Sequence, residues 1–179
     1  MGEKRLLELK TRCRNLSPAA TWCAQHATPI EDVRQADTYF HVRQGRLKLR
    51  VVEGRDEGTL IYYQREDTPD PKRSRVSLLP VSEPGRLLDL LGEALGVLVR
   101  VQKRRRIYRW GMVQIHLDEV ASLGSFIEFE RFIHSQRDEM KAQAEFDELR
   151  TALAVGEEDL VAGSYSDAIL DLDSRAGRT

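Results

Sequence analysis

The sequence predicts a mainly β protein with some α-helix, an α+β domain whose strands form a barrel or a sandwich. Short segments of alternating apolar and polar residues recur along the chain, and short glycine-containing connections separate several of them. Such connections join antiparallel neighbours, so these strands are expected to pair as hairpins. The chain has 179 residues, which is enough for one domain with a sizeable core.

Eight strands are predicted, and they follow one another with few interruptions. They cover residues 5–12, 38–43, 46–53, 59–65, 74–80, 98–108, 111–120 and 125–133. Tight connections such as Gln44-Gly45 and Trp110-Gly111 separate neighbouring strands. Many short strands in one domain are typical of a barrel or a sandwich.

Three helices are predicted among the strands. Ser17 and Pro18 begin the first as N-cap and first helical residue, Ser82 precedes the second, and the third begins near Ser135. Apolar residues recur at helical spacing in the last two: Leu87, Leu88, Leu91, Ala94 and Leu95, then Met140, Ala144, Phe146, Leu149 and Leu153. These stripes are expected to pack on the outside of the sheet.

Residues 1–172 are predicted to form a single domain, and residues 173–179 a disordered tail. Residues 66–73 contain two prolines and are predicted to be a loop over the mouth of a site, near Tyr39 and Tyr63.

Composition excludes several classes of protein. There are 28 basic and 29 acidic residues, so neither nucleic acid nor a membrane is an expected partner. No apolar run approaches the roughly 20 residues that span a bilayer, and no apolar segment follows the first five residues, so a cytoplasmic protein is expected. Cys13 and Cys23 have no neighbouring His or Cys, and reduced thiols are expected.

Four predicted strands carry charged residues at alternate positions. Because successive side chains on a strand point to opposite faces, each segment gathers its charges on one side. Arg46, Lys48 and Arg50 share one face, and Lys103 and Arg105 repeat the pattern. Like charges on neighbouring strands are destabilising unless anions neutralise them, and a triphosphate is such an anion.

Glu128 and Glu130 form a carboxylate pair on one strand face. Two close carboxylates repel unless a cation lies between them. With Glu8 and Asp118 from other strands they would offer the oxygen ligands that Mg²⁺ or Mn²⁺ prefers. A single Glu-x-Glu is more often a solvated strand face.

A solvated sheet face with cross-strand Glu–Arg pairs explains one such strand easily. It explains less well the Leu, Ile, Val and Phe residues that alternate with the charges on all of them. A closed barrel with a charged lumen and helices packed outside requires that pattern.

The remaining polar residues give weaker signals. His26, His41, His116 and His134 lack metal-binding spacing, which favours surface or hydrogen-bonded roles, although His116 shares a strand face with Asp118. The basic run 103–106 is divided between two faces by its strand, which argues against a nucleic-acid patch.

Six segments in order resemble the motifs of the CYTH domain, the triphosphate tunnel metalloenzyme superfamily. They are residues 7–12, 35–40, 45–50, 101–105, 115–120 and 123–130. The superfamily includes class IV adenylyl cyclases, thiamine triphosphatases and inorganic triphosphatases. The resemblance implies a closed eight-stranded antiparallel β-barrel, the triphosphate tunnel, that binds a triphosphate with Mg²⁺ or Mn²⁺.

The resemblance also implies roles for individual residues. The metal ligands are Glu8, Asp118, Glu128 and Glu130. The phosphate-binding residues are Lys10, Arg12, Arg46, Lys48, Arg50, Arg65, Lys103 and Arg105. Lys10, Glu128 and Glu130 are assigned as catalytic.

One position departs from the family pattern. The family's opening motif is Glu-x-Glu-x-Lys, and Leu6 occupies the first glutamate position, which leaves open whether one or two ions bind. Residues 163–170 resemble the closing Ser-Tyr segment of bacterial class IV cyclase-like proteins. Dimerisation is common among those proteins, but nothing in the sequence identifies a homodimer surface.

Three functions are compatible with these residues. The first is a metal-dependent enzyme that converts ATP to cyclic AMP and pyrophosphate, or hydrolyses an inorganic, thiamine or nucleoside triphosphate. The second is a non-catalytic nucleotide or polyphosphate-binding module, which Leu6 keeps open. The third is a β-domain that binds a protein through a charged sheet.

Overall fold

Eight antiparallel strands close into a barrel, which confirms the predicted fold class. The computed structural model describes residues 4–176. The strands are β1 (Lys4–Arg12), β2 (Thr28–Phe40), β3 (Arg46–Val52), β4 (Gly58–Arg65), β5 (Lys72–Val81), β6 (Val97–Trp110), β7 (Val113–Val120) and β8 (Gly124–Ile133). They are ordered β1-β5-β4-β3-β2-β6-β7-β8, and β1 closes the barrel by pairing with both β5 and β8.

The second strand is longer than the sequence predicts. It begins at Thr28, whereas the predicted strand begins at residue 38. Only two of the ten added residues are buried, and the segment lacks the alternation of apolar residues that identifies a strand. They are extended because their backbone pairs with β6, from Thr28 opposite Arg109 onward.

Four helices surround the barrel, together with a short 3₁₀ turn at Glu157–Asp159. They are α1 (Ser17–His26), α2 (Pro84–Leu95), α3 (Gln136–Ala152) and α4 (Tyr165–Ala176). A buried core joins α1 and α3 to the outer faces of β1, β7 and β8: Leu7, Leu9, Leu16, Ala19, Cys23, Val113, Ile115, Leu117, Ile127, Phe129, Ile133, Ala142, Phe146 and Leu149. α3 therefore packs outside the sheet, as predicted.

The buried face of α3 differs in part from the predicted stripe. Phe146 and Leu149 are buried, but Met140 and Ala144 are exposed, and Ala142 is buried in their place. The α3 N-cap is Ser135, whose side chain accepts a hydrogen bond from the amide of Asp138. By contrast, α2 contains no buried residue, so its apolar stripe is only partly covered.

The fourth helix was not predicted, and it includes the first four residues of the expected tail. Residues 173–176 continue α4, while residues 177–179 lie outside the described part of the chain. The helix is anchored at its start, where Ser164 Oγ contacts Asp167, and Ile169 and Leu170 pack against apolar residues of the barrel. This anchoring, and not a strong sequence stripe, accounts for the helix. No helix within residues 4–176 has the length and apolarity to cross a bilayer.

Candidate functional site

The barrel encloses a cavity of about 310 Å³ that is lined by many charged side chains. Six basic and three acidic side chains line it: Lys10, Lys48, Arg50, Arg65, Lys103 and Arg105, with Glu8, Glu128 and Glu130. Apolar residues line another part of the wall: Leu6, Ile61, Val76, Leu78 and Phe132. The cavity therefore combines a basic surface with an apolar one.

Strand alternation explains why these charges face inward. Leu7 and Leu9 on β1 enter the outer core beneath the helices, so Glu8 and Lys10 between them point into the lumen. Ile127 and Phe129 do the same on β8, which directs Glu128 and Glu130 inward. Packing of the helices thus fixes the direction of the lumenal charges.

Three basic residues from β3 and β6 converge on Asp37 of β2. Arg50 donates to it in a bidentate fork, from Nε to Oδ1 at 2.7 Å and from Nη2 to Oδ2 at 2.8 Å. Lys48 and Lys103 donate to Oδ2 at 2.9 Å and 3.1 Å. Burial opposes ionisation of Asp37, but Arg50, Lys103 and Lys48 outweigh it and hold the pKa of this carboxyl well below its usual range.

A second network surrounds Arg105 on β6. Its guanidinium binds both carboxylate oxygens of Asp118, at 2.7 Å and 2.6 Å, and also donates to Glu128 Oε2 at 2.6 Å. Lys10 Nζ lies 3.4 Å from the other oxygen of Glu128. Burial raises the pKa of Glu128, but Lys10, Arg105 and His116 together lower it well below its usual range. Both carboxylates are therefore ionised and already paired.

The residues after α3 close one part of the lumen. Tyr165 donates its hydroxyl to Asp118 Oδ2 at 2.8 Å, and its ring lies 4.1 Å from Lys10 Nζ. Lys72 on β5 donates to the carbonyl oxygens of Val161 and Ala162, each at 2.6 Å. The segment that precedes α4 is thereby held against the barrel.

Three donor groups on β7 and β8 lie close enough to share one metal ion. The side-chain ligand atoms of His116, Glu128 and Glu130 all lie within 4.8 Å of one another. His116 Nδ1 is buried and has no hydrogen-bond partner, at 3.6 Å from Glu128 Oε2 and 3.7 Å from Glu130 Oε1. Carboxylate and imidazole donors suit a divalent cation, so this set fits one.

Most of the predicted site residues are brought together. Every predicted metal-side acid and phosphate-side base lines the lumen except Asp118, Arg46 and Arg12. Asp118 lies behind Arg105 and is fully buried. Arg46 pairs with Asp67 at 2.6 Å and Asp167 at 2.8 Å, and Asp67 also lies 3.5 Å from Arg65, so the loop contacts a residue that lines the lumen.

Arg12 is placed differently from the other predicted phosphate-binding residues. It is the exposed last residue of β1, and its guanidinium lies 5.2 Å from the centre of the Phe126 ring. Its alternation with Glu8 and Lys10 continues to the strand end, where the lumen no longer encloses it. Alternation alone does not show where a barrel wall ends.

Three residues of the site were missed by sequence reasoning: Asp37, Lys72 and Tyr165. Asp37 and Tyr165 each lie in a segment that carries the family resemblance, but neither was assigned a role. Asp37 alternates with Tyr39 on β2, and this was the available signal. For Lys72 the predicted strand began two residues too late.

A larger and more open cleft, of about 910 Å³, lies elsewhere on the surface. Its charged residues include Arg34, Glu53, Arg104 and Glu119, and it shares only Lys103 with the lumen among the residues described. Arg34 pairs with Glu53 at 3.7 Å and Arg104 with Asp32 at 2.7 Å. It offers no comparable convergence of cations.

Comparison with known families and structures identifies relatives of this barrel. The CYTH domain family matches residues 7–165, which is most of the chain. No match is found among curated proteins.

Several solved structures share the fold. PH1012 from Pyrococcus horikoshii OT3 is 22% identical with a TM-score of 0.81, covering 90% of this chain and 98% of that one. A "putative adenylate cyclase" from Vibrio parahaemolyticus is 19% identical with a TM-score of 0.79, covering 94% and 99%. Another, from Bacillus halodurans, is 18% identical with a TM-score of 0.62, covering 94% and 98%. At these identities the likeness is one of fold.

Proposed function

Because the chain belongs to the CYTH domain family, we propose that it is a divalent-metal-dependent enzyme acting on a triphosphate in the barrel lumen. Members of this family typically act on triphosphates. The structures from Vibrio parahaemolyticus and Bacillus halodurans are each named a "putative adenylate cyclase". The observation that carries the proposal is the cavity itself. Six basic side chains face a common space of about 310 Å³, beside a group of donors that fits a metal ion.

The basic residues bind the phosphate chain. Arginine offers a planar fork to two phosphate oxygens, and lysine contributes a point charge. In this proposal Lys48, Arg50 and Lys103 bind one end of the chain, while Lys10 and Arg105 bind the part nearest the metal ligands. Arg65 contacts it from β4, and Arg46 from the rim.

Carboxylates of β8 would hold the metal ion. Glu128 and Glu130 are the ligands that both the resemblance and the geometry favour. Bound there, Mg²⁺ or Mn²⁺ would neutralise negative charge that develops on phosphate oxygens. Glu8 pairs with Arg65 and Asp118 with Arg105, so in this proposal these two acids orient the guanidinium groups that face the substrate.

The proposed reaction is cyclisation of ATP. The ribose 3′-oxygen forms a bond to the α-phosphorus, and the bond from that phosphorus to the bridging oxygen of pyrophosphate breaks. The proton of the 3′-hydroxyl is released to water. The cations around the cavity stabilise charge on the leaving pyrophosphate and the α-phosphoryl oxygens. Lys10 lies between Glu128 and Tyr165 and is positioned to contact those oxygens.

The apolar part of the wall favours an organic triphosphate over an inorganic one. Leu6, Ile61, Val76, Leu78 and Phe132 offer no donor to a phosphate oxygen, but they suit the apolar faces of a base. Thiamine triphosphate and other nucleoside triphosphates also carry a ring system that suits this wall. Hydrolysis of such a triphosphate, with water attacking the terminal phosphorus, is the second candidate reaction.

Product identification tests the proposal. The protein is incubated with ATP, inorganic triphosphate or thiamine triphosphate, with Mg²⁺ or Mn²⁺, and products are separated by chromatography and ³¹P NMR. Cyclic AMP and pyrophosphate are expected from ATP, with loss of turnover in Lys10→Met. Orthophosphate release would instead indicate a triphosphatase. A triphosphate-induced rise in Tm without any product would indicate a binding module. No rise in Tm at millimolar ligand would exclude both the enzyme and the binding module.

A further inference from the structure

The imidazole of His116 is held in one orientation by its neighbour on β7. His116 Nε2 lies 3.2 Å from Gln114 Oε1, and an amide oxygen can only accept a hydrogen bond. With the Gln114 amide in this orientation, Nε2 is the donor in this contact and carries a proton. In the neutral ring the other nitrogen, Nδ1, then presents a lone pair.

That lone pair faces two carboxylates. Nδ1 lies 3.6 Å from Glu128 Oε2 and 3.7 Å from Glu130 Oε1, and it makes no hydrogen bond. The His116 side chain is only 3% exposed, so solvent does not readily satisfy this nitrogen. A buried acceptor that faces two further acceptors is unfavourable unless a metal ion or a proton lies among them.

The charges around Glu130 indicate where a cation would bind. Glu128 is neutralised by Arg105 and Lys10. Within residues 4–176, Glu130 has no Lys or Arg nitrogen within ion-pair distance. The only basic side chain at that distance is His116, through Nδ1. Of the two glutamates of β8, Glu130 is therefore the one whose charge no Lys or Arg compensates.

Leu6, which departs from the family's opening motif, lies on β1, and β1 is on the other side of β8 from His116. On β1, Glu8 lies opposite Glu130 and Leu6 lies opposite Phe132, so the first glutamate position of the family motif is apolar in this chain. Glu8 itself is paired with Arg65. An ion held by Glu130 thus has fewer oxygen donors on the β1 side, whereas His116 offers a donor on the β7 side.

We propose that His116 Nδ1 is a ligand of the divalent ion, together with Glu128 and Glu130, and that it makes the site selective for Mn²⁺ over Mg²⁺. The inference rests on the proposed function only for the presence of a catalytic ion. Mg²⁺ prefers oxygen ligands, whereas imidazole suits transition metals. Gln114 is a positioning residue, because its contact with Nε2 directs Nδ1 toward the ion.

Electron paramagnetic resonance on the whole chain tests the inference. Protein stripped with a chelator is titrated with Mn²⁺, and the bound ion is examined for electron spin-echo modulation by nitrogen. We expect ¹⁴N modulation that changes when the histidines are labelled with ¹⁵N. This measurement needs no variant and so does not depend on the folding of one.

A matched pair of substitutions gives the second readout. His116→Asn is expected to lose the nitrogen signal and to weaken Mn²⁺ binding about 10- to 100-fold. Mg²⁺ affinity, measured by competition, is expected to change less. His134→Asn, at an exposed histidine just beyond β8, is expected to behave as the wild type.

The outcomes separate this inference from the proposed function. Mn²⁺ bound without histidine modulation, or with unchanged affinity in His116→Asn, would overturn the inference, and so would a failure of Mn²⁺ to bind. Metal-dependent turnover of a triphosphate in that case would leave the proposed function standing. A nitrogen-bound Mn²⁺ in a protein that processes no triphosphate would support the inference and remove the proposed function.

Discussion

Replacing Asp37 by asparagine should destabilise the free protein and at the same time increase its response to triphosphate. Asp37 accepts hydrogen bonds from Arg50, Lys48 and Lys103, and it is buried behind the surface that these three residues present to the lumen. Asparagine keeps the shape of the side chain and removes its charge. Three lumenal cations would then lose their shared counter-ion.

The structure sets the magnitude of the effect. Removing one partner of a buried ion pair costs roughly 3 to 5 kcal/mol, because the remaining charge is left uncompensated. A chain of this length loses about 2 to 4 °C of Tm for each kcal/mol. Tm is therefore expected to fall by roughly 6 to 20 °C in Asp37→Asn.

Thermal unfolding monitored by circular dichroism, with and without millimolar inorganic triphosphate, measures both effects. The rise in Tm with triphosphate should be larger in Asp37→Asn, because phosphate oxygens no longer compete with a carboxylate for the cations. Asp32→Asn is the matched control on the same strand. Asp32 pairs with Arg104 at the surface, where such a pair contributes about 1 kcal/mol or less.

The acid limb of the stability curve provides an independent check. Because the pKa of Asp37 is lowered in the folded protein, its contribution is fully present above the pKa of an unfolded aspartate, about 3.9. The contribution is lost as pH falls through the folded pKa. Asp37→Asn should therefore show a flatter acid limb. An unchanged Tm, or a smaller triphosphate effect than in the wild type, would refute the reasoning.

Three further changes test other parts of the site. Glu130→Gln should lower kcat/KM with saturating metal at least about 10-fold while circular dichroism is unchanged, and full activity would remove Glu130 from the metal ligands. Arg12→Ala should leave triphosphate affinity, measured by calorimetry, within about twofold, because this residue is exposed outside the lumen; a large loss would return Arg12 to the phosphate site. Burial lowers the pKa of Lys72 to about 7, and the positive charges of Arg65 and Lys10 contribute. Between about pH 7 and 10 this lysine is therefore protonated in the unfolded chain but largely neutral in the folded protein, so stability should rise with pH in that range. Urea unfolding should show this rise reduced in Lys72→Met, and an equal rise in both proteins would show that Lys72 keeps its proton.

The barrel could be predicted because its two faces follow a simple rule. On β1, β3 and β8, charged residues alternate with apolar ones, and the apolar ones are covered by helices or neighbouring strands. The early part of β2 could not be predicted in this way, because its residues are extended through backbone pairing with β6 and surface ion pairs such as Asp32–Arg104. α4 could not be predicted for a similar reason, because its few anchoring contacts are to residues that only the folded barrel brings together.

The site could be predicted where function is a property of one strand. Lys48, Arg50 and Glu128 each follow from alternation along a single segment. Asp37 does not, because its role depends on β2 lying between β3 and β6, which brings together residues distant in sequence. The isolated histidine at position 116 gains its significance in the same way, from Glu128 opposite it on β8.

The pairing of charges within the lumen suggests why a metal ion should be required. In the described structure Asp37, Asp118, Glu8 and Glu128 already occupy most of the cations that would bind a triphosphate. Substrate must draw some of these cations away, and a buried carboxylate that loses its cation is strongly destabilised. A divalent ion at Glu128 and Glu130 would replace the lost positive charge. Metal should therefore strengthen triphosphate binding, and by reciprocity triphosphate should strengthen metal binding by the same factor.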